Sequence, residues 1–255
     1  MFTPRHLLLL LAVTASATLA EPPKPGTPEF ALHVLNRVDD LYRGEQSHGV
    51  MEMEVKTKNW SRSMAIESWS KGKDYSLMRI LEPLKEKGTA TLKDKHDLFT
   101  YLNRTGRTVK ISGGMMGGSW MGSHFTNDDL VRETRLADDY VARQLPSQPV
   151  DGAETYLFEL TPRPNRPVVW GKVEVVLRAS DLQPLSQRFF NEEGRPVRSM
   201  VMSAFKQMGD RTIPTVMTMR PLDGSDEYTK VTWRELRYDV KLDDAFFSVG
   251  NLTSR

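Results

Sequence analysis

The sequence predicts a mainly β protein of the α+β class, an antiparallel barrel or strongly curved sheet of ten or more short strands. Three observations predict it. From Met51 onward, apolar and polar residues alternate with a period of two in one short segment after another. Thr105-Gly106, Glu193-Gly194 and Asp223-Gly224 are hairpin turn signals between such segments. The stretch Ser112 to Val131, SGGMMGGSWMGSHFTNDDLV, breaks the alternation by setting Met115, Met116, Trp120, Met121 and Phe125 on a glycine-rich backbone. Large apolar side chains on so pliable a chain imply a segment that covers an apolar surface.

The chain opens with Arg5 as a positive start, Leu7 to Val13 as an apolar run, and Ala15, Ser16, Ala17 and Ala20 as a small-residue end. Residues 1–20 therefore read as a secretory signal peptide cleaved near Ala20, too short to be a spanning helix. No cysteine is present, which excludes disulfides, thiolate chemistry and a lipid anchor on an N-terminal cysteine. The expected location is the periplasm. Residues 21–29 form an extended Pro-rich leader, and residues 30–255 are expected to form a single domain. A net charge of +2 from 35 basic and 33 acidic residues gives no field that would draw nucleic acid.

Thr27 is placed to cap a helix with Pro28 at its first position. Ala31, Val34, Leu35, Val38, Leu41 and Tyr42 follow at helical spacing, and Gly44 supplies a stop. Strands are expected at Met51 to Val55, Trp60 to Trp69, Tyr75 to Leu81, Gly88 to Leu92, Asp97 to Asn103 and Arg107 to Ile111. Beyond the glycine-methionine stretch they continue at Tyr156 to Thr161, Val168 to Arg178, Leu185 to Asn191, Val197 to Phe205, Thr212 to Arg220 and Glu227 to Tyr238. Thr126, with Asp129 three positions later, caps a short helix that starts near Leu130. Asp243 to Phe247 is expected to form a last turn that packs Phe246 and Phe247 on the sheet.

Catalytic signatures are missing. Gly117-Gly118-Ser119-Trp120-Met121 lacks the last glycine of a nucleophile elbow. His33, His48, His96 and His124 sit in no ligand or triad spacing. His124 with Asp128 and Asp129 has metal-like spacing, but helix capping accounts for the acids, so no metal or other cofactor is expected. The run from Lys85 through Lys87, Lys93 and Lys95 reads best as a charged edge that resists aggregation, with contact to lipid headgroups or a partner as the alternative.

The interior has two possible uses, a closed core or a cavity for an apolar ligand. Met51, Met53, Met64, Met78, Met200, Met202, Met217 and Met219 all fall in expected strands. Methionine is flexible and polarizable, which suits a lining for variable chains, yet it also fills ordinary core gaps. Composition alone favours the packed core.

Arg37-Val38-Asp39-Asp40-Leu41-Tyr42-Arg43-Gly44, Trp69-Ser70-Lys71-Gly72, Pro83 with Lys87-Gly88-Thr89-Ala90, and the segment Ser119 to Leu130 together resemble the LolA-like outer-membrane lipoprotein-sorting proteins. The terminal Asp244-Ala245-Phe246-Phe247-Ser248 fits the same likeness. The resemblance implies an unclosed antiparallel barrel with a small helical lid over an apolar cavity. It implies a soluble periplasmic carrier of lipoprotein or lipid acyl chains, without catalysis. The alternative it brings is an accessory protein docked on an inner-membrane lipid transporter of the resistance-nodulation-division (RND) type. On this reading the eight strand methionines with Trp69, Met115, Met116, Trp120, Met121 and Phe125 line the cavity or its flap. Arg43, Lys71, Asp128 and Asp129 are candidate lid latches. Lys71-Gly72 stands where the LolA carriers have an Arg-Pro pair, and lysine does not make arginine's bidentate bonds. A Trp120→Ala or Met121→Ala change is expected to weaken ligand retention and leave the fold intact.

Overall fold

The computed structural model describes residues 23–132, 136–238 and 240–253, without the side chains of Tyr42, Arg43 and Arg132. The expected signal peptide, the start of the Pro-rich leader and the Arg43 side chain lie outside the described residues. Helix α1 spans Pro28–Arg43, capped by the Thr27 side chain, which accepts from the Phe30 N–H, and closed by Gly44 at φ 63°. Its cap, its proline and its stop are local chemistry, and all three fall where the sequence puts them. Ala31, Val34 and Leu35 form its buried stripe.

Six strands follow: β1 Gln46–Lys56, β2 Ser61–Lys71, β3 Tyr75–Glu82, β4 Ala90–Asp94, β5 Asp97–Leu102 and β6 Arg107–Ile111. Short helices α2 Asn127–Arg132 and α3 Leu136–Asp139 lead to β7 Tyr140–Leu145. The rest of the sheet is β8 Thr155–Pro162, β9 Lys172–Arg178, β10 Pro184–Phe190, β11 Pro196–Met208, β12 Arg211–Pro221 and β13 Tyr228–Arg237, and a short α4 Val249–Leu252 ends the chain. The described strands form one antiparallel sheet in the order β6-β5-β4-β3-β2-β1-β13-β12-β11-β10-β9-β8-β7. The sheet is curved and does not close, so β6 and β7 are free edges.

Strand β7 and helices α3 and α4 are absent from the sequence expectation. The strand expected from Val168 begins only at Lys172. Pro164 and Pro167 lack the N–H groups a ladder needs, and Gly171 lies so close to β10 that a Cβ there would be 2.5 Å from the Asn191 carbonyl oxygen.

The two faces of the sheet bury different clusters. The concave face carries the main core, and α1 packs against it. On the convex face, Leu77, Ala90 and Leu92 are covered by Phe247 and Leu252 of the C-terminal segment. The turn at Asp244–Phe246, capped by Asp243, forms as the sequence indicates.

Gly49 is a tight point in β1. A Cβ there would sit 2.5 Å from the Glu235 carbonyl oxygen of β13 and 3.0 Å from the Trp233 and Leu236 side chains. Gly49→Ala is expected to destabilise the fold by about 1–3 kcal/mol, the usual range for overpacking, read as a lower urea midpoint at unchanged slope.

The β7 edge is pinned by charge. Glu159 of β8 accepts from Arg143 of β7 at 2.7 Å and from Lys172 of β9 at 3.3 Å. The Arg143 hydrogen bond, with Lys172 adding and burial opposing, holds the Glu159 carboxyl below the usual carboxylate range. A carboxyl with a depressed folded pKa stabilises the fold above its unfolded value of about 4.3, and that contribution is lost as pH falls through the folded value. Glu159→Gln should therefore melt below wild type at pH 7, with the gap closing as pH falls past 4. Melting curves against pH check this.

Candidate functional site: the concave face and the segment that crosses it

The connection between β6 and β7 joins one free edge of the sheet to the other, and its described residues Trp120, Phe125 and Ala137 are buried in the main core of the concave face. Its start is a loose succession of turns at Gly113–Met115 and Trp120–Gly122. Met121 adopts φ 50° and Gly122 φ 67°, a left-handed pair that reverses the chain. Arg62 of β2 donates to the Met121 carbonyl and pairs with Glu86 at 2.9 Å, which holds that reversal against the sheet. Helix α2 then starts with a capping box: the Thr126 N–H donates to Asp129 at 2.7 Å and the Asp129 N–H donates to the Thr126 hydroxyl at 3.3 Å.

Among the described residues, the backbone–backbone hydrogen bonds of residues 112–132 stay within the segment. Trp120 N–H donates to the Phe125 carbonyl, Asn127 N–H to Gly118 and Asp128 N–H to Met116, each at 2.8–2.9 Å. The links from the segment to the strands run through side chains. The Trp120 indole N–H donates to Thr91 of β4 at 3.1 Å. The His124 backbone N–H donates to the Thr229 hydroxyl of β13 at 2.9 Å, and its ring lies 3.2 Å from Glu227. Arg198 of β11 donates to the His124 carbonyl at 2.8 Å and pairs with Asp129 at 2.5 Å. The Arg198 guanidinium also lies 4.0 Å from the Trp170 ring centroid and 4.2 Å from that of Phe189. Both partners of the Arg198–Asp129 pair are buried.

Beneath the segment, methionines meet across strands. Met64, Met53, Val231, Met217 and Met202 are consecutive partners over β2, β1, β13, β12 and β11, and Met200 faces Met219. A cavity of about 120 Å³ is lined by Met51, Met78, Met217, Trp120 and Phe125. A smaller one of about 20 Å³ is lined by Met200, Met219, Trp170 and Phe125. Phe125 and Asp129 border both, so the crossing segment divides the interior. Outside it lies an open groove of about 750 Å³ between the segment and the β3–β6 hairpin ends, lined by Trp60, Leu102, Val109, Met115 and Met121. Trp120 lines both this groove and the larger cavity, and it is only 4% exposed.

The residues singled out from sequence fall into groups. Met53, Met64 and Met202 are buried in the main core, beside the cavity-lining methionines, and Met121 packs on its edge. Met116 packs near the β5–β6 edge with Leu98, Ile111 and Val131, and Met115 is exposed. Trp69 does not join them. It points to the convex face, stacked on His48 at 5.3 Å and against Phe246 at 5.4 Å. Strand β2 is apolar on both faces around Met64-Ala65-Ile66, so alternation alone does not say which face Trp69 takes. Lys71 holds the C-terminal segment, not the crossing segment, through Asp244 at 2.5 Å and the Leu242 carbonyl at 2.9 Å. Lys93, read as part of an exposed basic edge, is 2% exposed on the concave face. Asp128 is fully buried, and Asp129 makes the charged link to the sheet. His124 and Asp129 engage different partners, Glu227 with Thr229 and Arg198, so they form no shared ligand set. Arg198 was missed. Its signal was present: in β11 positions 198, 200 and 202 face inward, and an arginine heads a stripe of methionines.

These features define a class: an open half-barrel of antiparallel strands whose concave, methionine-lined face is covered by its own edge-to-edge connection. A family model described as "Uncharacterized protein" matches residues 72–254, and the chain belongs to that family; its fold is LolA-like. Among solved structures, a DUF1329 family protein from Desulfovibrio piger is similar at a TM-score of 0.81 and 23% identity, over 87% of this chain and 97% of that one. An outer membrane lipoprotein-sorting protein domain from Vibrio parahaemolyticus is similar at 0.80 and 22%, over 89% and 100%. A LolA superfamily protein from Nitrosomonas europaea is similar at 0.74 and 22%, over 87% and 98%. No curated protein matches the chain.

Proposed function

We propose that this protein is a non-catalytic periplasmic carrier that binds an acyl chain of a lipoprotein or lipid on the concave face, with residues 112–132 as its lid. One observation carries the reading: among the described residues, the segment over the apolar face makes no backbone–backbone hydrogen bond to a strand, and each hydrogen bond that ties it down uses a side chain. Such a unit can lift away without breaking a strand ladder. The cargo requires this motion. A cavity of about 120 Å³ is well below the roughly 300–1,000 Å³ of typical ligand pockets. Each buried methylene is worth about 0.8 kcal/mol, so a 16-carbon chain needs on the order of 12 kcal/mol of burial to travel through water. Methionine pairs across β2, β1, β12 and β11 supply an adaptable surface for that. The LolA-like fold and the export signal read at residues 1–20 agree with envelope trafficking.

Delipidated protein mixed with a palmitoylated peptide should co-elute with it in size-exclusion chromatography, and the unacylated peptide should not. Equal behaviour of the two peptides would refute the carrier.

A second reading, docking on an RND-type transporter, is favoured by the outer groove, where Trp60, Leu102, Val109 and Met115 are exposed. Trp60→Asp with Met115→Asp would then abolish co-purification of the transporter and leave palmitoyl binding unchanged.

A further inference from the structure

The concave face is not uniformly apolar. Ser47 of β1 is the cross-strand partner of Ser70 of β2, Ser70 of Ser76 in β3, and Ser76 of Lys93 in β4. Direct partners in a sheet point to the same side, so these four polar residues form one continuous row across four strands. Ser68, two residues from Ser70, lies beside the row on the same face. All five line the larger cavity. Ser47, Ser68 and Lys93 are buried. The Ser47 and Ser70 hydroxyls lie 2.7 Å apart, and the Lys93 ammonium donates to the Lys73 carbonyl at 2.6 Å, which anchors it near the β2–β3 turn.

Each strand changes character along this one face. Strand β1 runs from Ser47 to Met51 and Met53, β3 from Ser76 to Met78 and Ile80, and β2 from Met64 and Ile66 to Ser68 and Ser70. The antiparallel register puts every polar end together, towards the β2–β3 turn, and every apolar end together, towards Trp120. Placing hydroxyls and an ammonium in the wall of a cavity costs desolvation that a hydrocarbon ligand does nothing to offset. A cavity meant for hydrocarbon alone gains nothing from such a row.

We propose that this row is a headgroup site. It binds the anionic oxygens of an amphiphile, a carboxylate or a phosphate, while the acyl chain runs over Met51, Met78 and Met217 towards Trp120. Hydroxyl donors and an ammonium are the complement of such a head. This rests on the carrier reading and narrows it: the cargo is a lipid with an anionic head that enters the cavity, not an acyl chain alone.

The test compares three probes on the full chain: palmitate, methyl palmitate and 1-palmitoyl-glycerol-3-phosphate, with dissociation constants from tryptophan fluorescence titration. The wild type should bind at least one anionic probe tenfold or more tighter than methyl palmitate, and which one identifies the head as carboxylate or phosphate. Lys93→Met and the double change Ser70→Ala/Ser76→Ala should each erase most of that preference and leave methyl palmitate binding as it was. The half-buried serines keep the test available if the lysine variant fails to fold. Equal affinity for all three probes, or a preference untouched by the serine pair, overturns the headgroup site and leaves the carrier standing. Failure of every probe to bind removes the carrier reading, and the headgroup site with it.

Discussion

Arg198→Met is expected to lower the stability of the fold by about 3–5 kcal/mol, because it strands the buried Asp129 carboxylate without its partner. The Arg198 guanidinium lies 4.0 Å from the Trp170 ring centroid and 4.2 Å from that of Phe189, and a flexible, apolar methionine is the replacement expected to keep most of that packing, leaving charge as the main loss. For a chain of this size each kcal/mol moves the melting temperature by roughly 2–4 °C, so a fall of about 10 °C should be seen. Asp129→Asn in the same chain should recover a good part of it, since the amide removes the buried charge and keeps an oxygen for the Thr126 N–H. The four melting curves of that double-mutant cycle give the coupling directly. A loss below about 1 kcal/mol for Arg198→Met would mean that the pair behaves like an exposed one and latches nothing.

Trp120→Ala is expected to cost a similar amount, about 3–5 kcal/mol, as large aromatic deletions in cores do. Read from sequence, this change should spare the fold and affect only the ligand. The structure changes that expectation, because Trp120 is 4% exposed, belongs to the main core and donates to Thr91. Its indole is also the wall between the interior cavity and the outer groove. The variant should therefore show two effects in separate measurements: a lower urea midpoint, and faster association with a palmitoylated peptide in stopped flow. Trp120→Phe keeps most of the area and loses only the indole donor, so it should retain most of the stability and the slow association. If alanine lowers stability without speeding association, Trp120 is core and not gate.

What could be read from the residues alone was the local chemistry. Thr27-Pro28 and Gly44 fix both ends of α1, and Thr126 with Asp129 fixes the start of α2, because caps act over three or four residues. Alternation located twelve of the thirteen strands among the described residues, since its period is visible within one strand. Strand β7 escaped because Tyr140-Val141-Ala142-Arg143-Gln144 follows acidic residues and, as an edge, carries Arg143 and an exposed Val141. Helices α3 and α4 have four residues each, too few for a helical period to show. The latch was harder to see. Asp129 was legible as a cap, but its partner Arg198 lies 69 residues away and is brought in by the register of β11. Trp69 and Lys71 were misplaced for a related reason: their neighbours Phe246, Leu242 and Asp244 come from the chain's far end. The polar row of Ser47, Ser70, Ser76 and Lys93 exists only in the pairing of four strands, and no one segment of sequence contains it.

The central claim is that the segment over the concave face moves to admit an acyl chain. Because the chain has no cysteine, two introduced thiols would carry the only labels. Gly117, where a Cβ meets nothing within 4 Å, and Val201, which is exposed on β11, are suited to spin labels. Double electron–electron resonance on Gly117→Cys/Val201→Cys should show one short distance in the delipidated protein and a shift to longer distances when a palmitoylated peptide binds. The peptide bound with an unchanged distance distribution would contradict the account.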